Sequence, residues 1–282
     1  MDLKDTGSEN IIVEFSKWQI AQGKADGTIK TYVGVLEKFQ SWLKTRNQVL
    51  DQISKNDVQL FMYELEKQQK SAGTIEKYLA AISVFSRFLE KSEIIIDVQR
   101  KEKIQDNEIP ESLAESEEKQ LLKDVESDGN LRNTAIVYTL LYTGIRISEL
   151  CALNVDDIKM EEKNSTLIVR NKQGDIDREI PLSKELSKHL KDYIDSLETI
   201  CKALFISSVN KRISTRAVQY MLQKYDVNPH KLRHTFCQKL INKGIDIHTV
   251  AKLAGHRDVN VTKRYAGDFE PNFINAIDQA FS

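Results

Sequence analysis

The reactive side chains of this 282-residue chain concentrate in three short segments of its second half. In Asn228-Pro229-His230-Lys231-Leu232-Arg233-His234, Asn228 is a good helix N-cap and Pro229 suits the first helical position. His230, Arg233 and His234 then stand at i, i+3 and i+4, on one face of the opening turns. Backbone N–H groups and the positive end of the helix dipole point outward there, which suits an anion such as phosphate. An arginine on that face can grip two oxygens at once, and a histidine can give or take a proton near neutral pH. Leu253-Ala254-Gly255-His256 ends in a glycine that closes a helix and leaves His256 at its mouth, and Tyr265 follows nine residues later. Upstream, Thr143-Gly144-Ile145-Arg146-Ile147-Ser148-Glu149-Leu150 puts Arg146 just past another helix-ending glycine, held at a turn.

Each segment has a plainer reading when taken alone. His230 and His234 have the i, i+4 spacing of zinc ligands, but residue 231 is a lysine and no complete ligand set accompanies them, so no metal is expected. Arg146 alone could serve the dipole of the helix before it. Tyr265 is one of nine tyrosines, a residue type commonly half-buried for packing. His234 reads as a residue that orients its neighbours, and His189 and His248 as surface or packing residues.

In their order and spacing the three segments together resemble the signature of the tyrosine recombinases, the phage integrase family. Gly144-Ile145-Arg146-Ile147-Ser148-Glu149-Leu150 resembles the family's first arginine box, His230-Lys231-Leu232-Arg233-His234 its His-x-x-Arg box, and Leu253-Ala254-Gly255-His256 with Tyr265 its terminal box. The resemblance spans residues 110–282 and is nearest the compact bacterial Xer-like branch, where transposon-encoded cointegrate resolvases of the TnpI type are also similar. It implies that Tyr265 attacks a scissile phosphate, forming a 3′-phosphotyrosine and a free 5′-hydroxyl. Arg146 and Arg233 would hold the non-bridging oxygens, His230 would help remove the Tyr265 proton, and His256 would donate a hydrogen bond to the phosphate. Lys172 would protonate the leaving oxygen, with Glu149 and His234 in support. Where the family's hairpin commonly reads Gly-Lys-Gly-x-Lys, this chain has Asn171-Lys172-Gln173-Gly174-Asp175, so Lys163 in the preceding loop is the alternative donor. Bond energy kept in the phosphotyrosine implies no cofactor, neither ATP nor metal. The implied partners are a double-stranded DNA recombination site and further copies of the chain, in a synaptic tetramer built by exchange of C-terminal helices. Resolution or integration of DNA is the implied role. Type IB topoisomerase-like relaxation and DNA binding without catalysis use the same residue types and stand as alternatives.

Such a site needs a scaffold, and the apolar spacing supplies a mainly α one. Gly27-Thr28-Ile29 with Tyr32, Leu36, Phe39 and Leu43 recurs 46 residues later as Gly73-Thr74-Ile75 with Tyr78, Ile82, Phe85 and Leu89. In each copy the threonine can cap a helix whose apolar residues then fall three or four apart. Duplication or a shared packing demand would each produce such an echo. Helices near 9–22 and 55–68 complete a four-helix module over residues 1–96, matching the family's core-binding (SAM-like) DNA-clamp domain. A polar stretch over 97–112, ended by Pro110, reads as the linker. The catalytic domain, 113–282, then opens with helices at 116–127 and 131–143. Strands at 166–170 and 178–182 flank a glycine turn, with 157–160 as a third, giving one small antiparallel sheet. Helices return over 184–199, 214–225, 229–243, 246–254 and 258–267, and Phe273, Ile277 and Phe281 mark an amphipathic tail over 271–282.

Bulk properties agree with less force. A net charge of −1 weighs against DNA binding when taken alone. Its distribution is uneven: residues 101–129 carry 4 basic against 10 acidic side chains, and residues 130–282 carry 23 against 18. Three scattered cysteines, Cys151, Cys201 and Cys237, fit a reducing compartment. No export signal and no membrane-length apolar run are seen, so the expected location is the cytoplasm.

Overall fold

The computed structural model describes residues 5–100, 111–161, 164–198, 201–256 and 258–263. Tyr265, Lys163 and the 271–282 tail lie outside these residues. The chain divides into two compact units, 1–106 and 107–282.

The first unit is built from α1 (Asp5–Ala21), α2 (Asp26–Lys44), α3 (Lys55–Lys67) and α4 (Ala72–Phe88). Its core is rich in aromatics: Phe15, Phe39 and Phe85 are fully buried, and Phe39 meets Phe61 at 4.7 Å between ring centroids. The echo occupies equivalent helix positions, with Gly27 and Gly73 second and Thr28 and Thr74 third in α2 and α4. The threonines themselves do not cap. Ala25 precedes α2 without a side-chain bond, and it is Ser71 Oγ that accepts the Thr74 N–H. Residues 97–100 of the polar stretch are tied to the helices. Val98 is buried, Gln59 pairs in both directions with the Gln99 backbone at 2.7 and 2.9 Å, and Arg100 reaches Glu76 at 2.7 Å.

In the second unit, α5 (Glu115–Ser127) and α6 (Leu131–Thr143) lead into α7 (Ile147–Ala152). An antiparallel sheet ordered β1-β2-β3 follows, from β1 (Ile158–Lys159), β2 (Thr166–Arg170) and β3 (Ile176–Pro181). Then come α8 (Lys184–Asp195), α9 (Thr215–Gln223), α10 (Pro229–Asn242), α11 (Ile247–Ala254) and α12 (Val259–Lys263). Helix α6 is buried on every side from Thr134 to Leu141, as expected of a helix apolar all round, and packs against α5, α8 and α10. The β2–β3 register sets Leu167 opposite Ile180 and Val169 opposite Arg178, then slips so that Arg170 meets Ile176. Among the described residues no helix is long and apolar enough to cross a membrane.

Candidate active site

Two glycines set the chain direction around the site. Gly144 ends α6 at φ 60°, where a side chain would run into the Phe236 ring. The turn delivers Arg146 to the N-cap of α7, and its backbone N–H donates to Glu149 Oε2 at 2.8 Å. This six-residue helix was not foreseen, being too short to show a period. Gly255 ends α11 at φ 68°, and a Cβ there would lie 2.5 Å from Arg178 Nη1. The two turns meet through Arg146, whose Nη2 donates to the Gly255 carbonyl at 2.7 Å while Nη1 donates to Glu149 Oε1 at 3.2 Å.

Arg178, which the sequence did not single out, underlies this contact. Its Nε donates to the Leu253 carbonyl at 2.9 Å, and Nη1 and Nη2 donate to the two Glu149 oxygens at 3.2 and 2.8 Å. Nη1 also reaches Asp177 at 2.8 Å. Burial pushes the Glu149 carboxyl up, but hydrogen bonds from Arg178 and the Arg146 backbone, with both positive charges, hold it below the usual carboxylate range. One signal for Arg178 was present in the sequence. On β3 it shares the inward face with Ile180, so strand alternation puts a charge at a core position.

On α10 the expected start holds: Asn228 caps the Lys231 N–H at 2.9 Å and Pro229 opens the helix. Lys231 turns to Glu111 at 2.8 Å. Arg233 is buried, with Nη1 on the Gly144 carbonyl and Nη2 without a hydrogen-bond partner among the described residues. Burial, then the nearby Arg146 charge, lowers its pKa. His230 is exposed, its ring 6.3 Å from that of His234.

His256 follows Gly255, with its backbone N–H on the Ala251 carbonyl and its Nδ1 2.7 Å from the hydroxyl of buried Thr262. Burial first, then Arg233, Arg146, His234 and Arg178, pull its pKa down to about 4. The ring is therefore neutral at neutral pH, with one nitrogen a donor and the other an acceptor. Lys172 stands on the β2–β3 turn. There the Asn171 side chain accepts the Gln173 and Asp175 N–H groups at 2.9 and 3.0 Å, so residues that depart from the family pattern still build a tight turn.

Arg146, Glu149, Lys172, Arg178 and His256 line one open cavity of about 1200 Å³. Arg170 and Lys252 add to its positive wall, against the carboxylates of Glu149, Asp177 and Glu179. His230, Arg233 and His234 are not on the cavity wall, but Arg233 and His234 act electrostatically on His256. His189 lies elsewhere, 4.1 Å from the Tyr138 ring and 3.6 Å from Glu126. Burial lifts the thiols of Cys151 and Cys237 to about 11, which leaves both unreactive near neutrality.

Comparison with known proteins gives matches over both units. The phage integrase family matches residues 111–270, and the family's N-terminal SAM-like domain matches residues 13–93. Tyrosine recombinase XerA of Pyrococcus horikoshii is 29% identical, covering 97% of this chain and 94% of its own length. TnP I resolvase of Bacillus thuringiensis is 32% identical over 60% of this chain and 61% of its own. In fold the chain is similar to XerH site-specific recombinase bound to a palindromic difH substrate, with a TM-score of 0.71 at 18% identity, over 88% of this chain and 78% of that one.

Proposed function

The chain belongs to the phage integrase family of tyrosine recombinases, and from that premise we propose that it cuts and rejoins DNA at a specific site through a covalent bond to Tyr265. The observation that carries the proposal is Arg233: a buried guanidinium whose Nη2 has no partner among the described residues, close enough to Arg146 for the two charges to repel. Burying a cation with so little compensation is costly, and a phosphodiester relieves it. Its two non-bridging oxygens offer acceptors to Arg146 and Arg233 together.

In the reaction Tyr265 Oη forms a bond to phosphorus as the bond from phosphorus to the 5′-oxygen breaks. The tyrosine proton passes to His230, and Lys172 gives a proton to the leaving 5′-oxygen. Arg146 and Arg233 stabilise the charge gathered in the pentavalent transition state. His256, already neutral, contributes an N–H donor. Attack of a 5′-hydroxyl on the phosphotyrosine then rejoins a strand and restores Tyr265, with no outside energy source. In sequence Tyr265 stands two residues past Lys263, the last described residue of α12.

The first unit serves as a helical clamp on duplex DNA, and synapsis of two sites uses four copies linked by their 271–282 tails. The protein works in the cytoplasm, in resolution or integration of DNA. To test this, Tyr265→Phe protein is used to retain fragments of its host's DNA, and the retained sequence is remade as a nicked duplex. The parent chain should form a covalent adduct stable to denaturant, and Tyr265→Phe none. An adduct that persists in Tyr265→Phe overturns the assignment. Efficient relaxation of plasmids lacking the site would favour a topoisomerase, and binding with no adduct under any condition a non-catalytic relative.

A further inference from the structure

Arg178 has no part in the chemistry assigned above, yet its side chain is only 5% exposed and bonds to two other segments, at Glu149 and Leu253, besides its neighbour Asp177. The Glu149 carboxylate sits between it and Arg146. Oε2 receives the Arg146 backbone N–H and Arg178 Nη2, both at 2.8 Å, and Oε1 receives one guanidinium nitrogen from each arginine at 3.2 Å. Arg178 thus engages both carboxylate oxygens, while the Arg146 side chain touches the carboxylate once, at 3.2 Å. Without Arg178, Glu149 would be free to take Arg146 in the two-pronged geometry that a phosphate also requires. The Arg178 guanidinium also holds the Leu253 carbonyl and abuts Gly255, so it sets the end of α11 from which His256 projects.

We propose that Arg178 is a positioning residue for strand cleavage: it occupies Glu149 so that Arg146 stays available to the phosphate, and it anchors the helix end that presents His256. This rests on the recombinase reading above. A merely structural tie and a competition for Glu149 differ in one respect. In a competition, neutralising Glu149 compensates for loss of Arg178; in a tie, it does not.

The experiment uses full-length protein and the nicked duplex remade from the retained host DNA, reading duplex affinity and adduct rate at saturating DNA separately. Arg178→Met should bind the duplex within about threefold of the parent but form adduct roughly 100-fold more slowly, because the reacting groups are misplaced rather than lost. Arg178→Lys, which keeps the charge without the fork, should lose about tenfold. Adding Glu149→Gln to Arg178→Met should recover at least about tenfold of the lost rate, a coupling expected of residues in direct contact. Arg178→Met at the parental rate overturns the inference, as does a double variant no faster than Arg178→Met while both melt cooperatively. If Arg178→Met does not fold, Arg178→Lys with and without Glu149→Gln replaces the pair, with the same recovery expected and its absence equally fatal. A parent chain that forms no adduct overturns the recombinase reading, and the inference falls with it.

Discussion

The Nη2 of Arg146 donates a 2.7 Å hydrogen bond to the carbonyl of Gly255, joining positions 109 residues apart in the chain. The first arginine of the site and the turn that carries its last described histidine are therefore one structural unit. A change at the turn should be felt at the arginine.

Gly255 and Gly129 provide a controlled comparison. Both have left-handed backbones, at φ 68° and 66°, but a Cβ at Gly255 meets Arg178 while one at Gly129 meets nothing within 4 Å. Asparagine tolerates the left-handed region, so Gly129→Asn should change stability by less than about 0.5 kcal/mol. Gly255→Asn should cost on the order of 1–3 kcal/mol and slow adduct formation, because the Arg178 contact must give way. Denaturant unfolding checks the first quantity and the nicked duplex the second. Equal costs at the two glycines would show that Arg178 yields freely.

Arg233 sets stability against function. Its buried Nη2 has no hydrogen-bond partner among the described residues, and burial lowers its pKa. Arg233→Met should leave stability unchanged or raise it by about 1–2 kcal/mol, as when a buried ion is replaced by an apolar side chain of similar volume. The same variant should lose adduct formation by at least about 100-fold. Thermal melting and the adduct assay decide it. A variant that is both strongly destabilised and still active would contradict this account.

Lys172 can be tested through the leaving group. Lys172→Met should slow cleavage by about 100- to 1,000-fold, within the usual range of general acid catalysis. A duplex with sulfur in place of the bridging 5′-oxygen expels a thiolate that needs little protonation, so the defect should shrink to within about tenfold on that substrate. If the defect is undiminished, the proton comes from another group, and Lys163 is the next to examine.

What was legible in the sequence was local. Asn228-Pro229 and the glycines at 144 and 255 act through their own backbone preferences, and the structure has the cap and both left-handed turns. The threonines at 28 and 74 misled because serine one turn earlier, or no side chain at all, does the capping. The polarity of 97–100 hid one buried valine and an amide pairing with Gln59, a partner 40 residues away. Arg178 was missed for the same reason. Its partners at 149 and 253 come together only when three elements fold, and only the alternation on β3 hinted at it.

His256 gives a prediction whose sign depends on its surroundings. Burial, and then the charges of Arg233, Arg146, His234 and Arg178, bring its pKa down to about 4, below the ordinary histidine value of 6.5. The unfolded chain therefore binds a proton at this residue before the folded chain does. Its contribution to stability is complete above the ordinary value and is lost as pH falls from about 6.5 through about 4. The residue is only partly buried, so after allowing for solvent screening the loss is on the order of 1 kcal/mol. A phosphodiester in the site adds negative charge and should raise the pKa, so duplex binding between these limits should take up a proton and tighten as pH falls. Histidine ring resonances followed by NMR through a pH titration, assigned by their loss in His256→Gln, test both states. A free-state midpoint near 6.5 for His256, or one unmoved by duplex, would mean that the arginines do not act on this ring as the geometry requires.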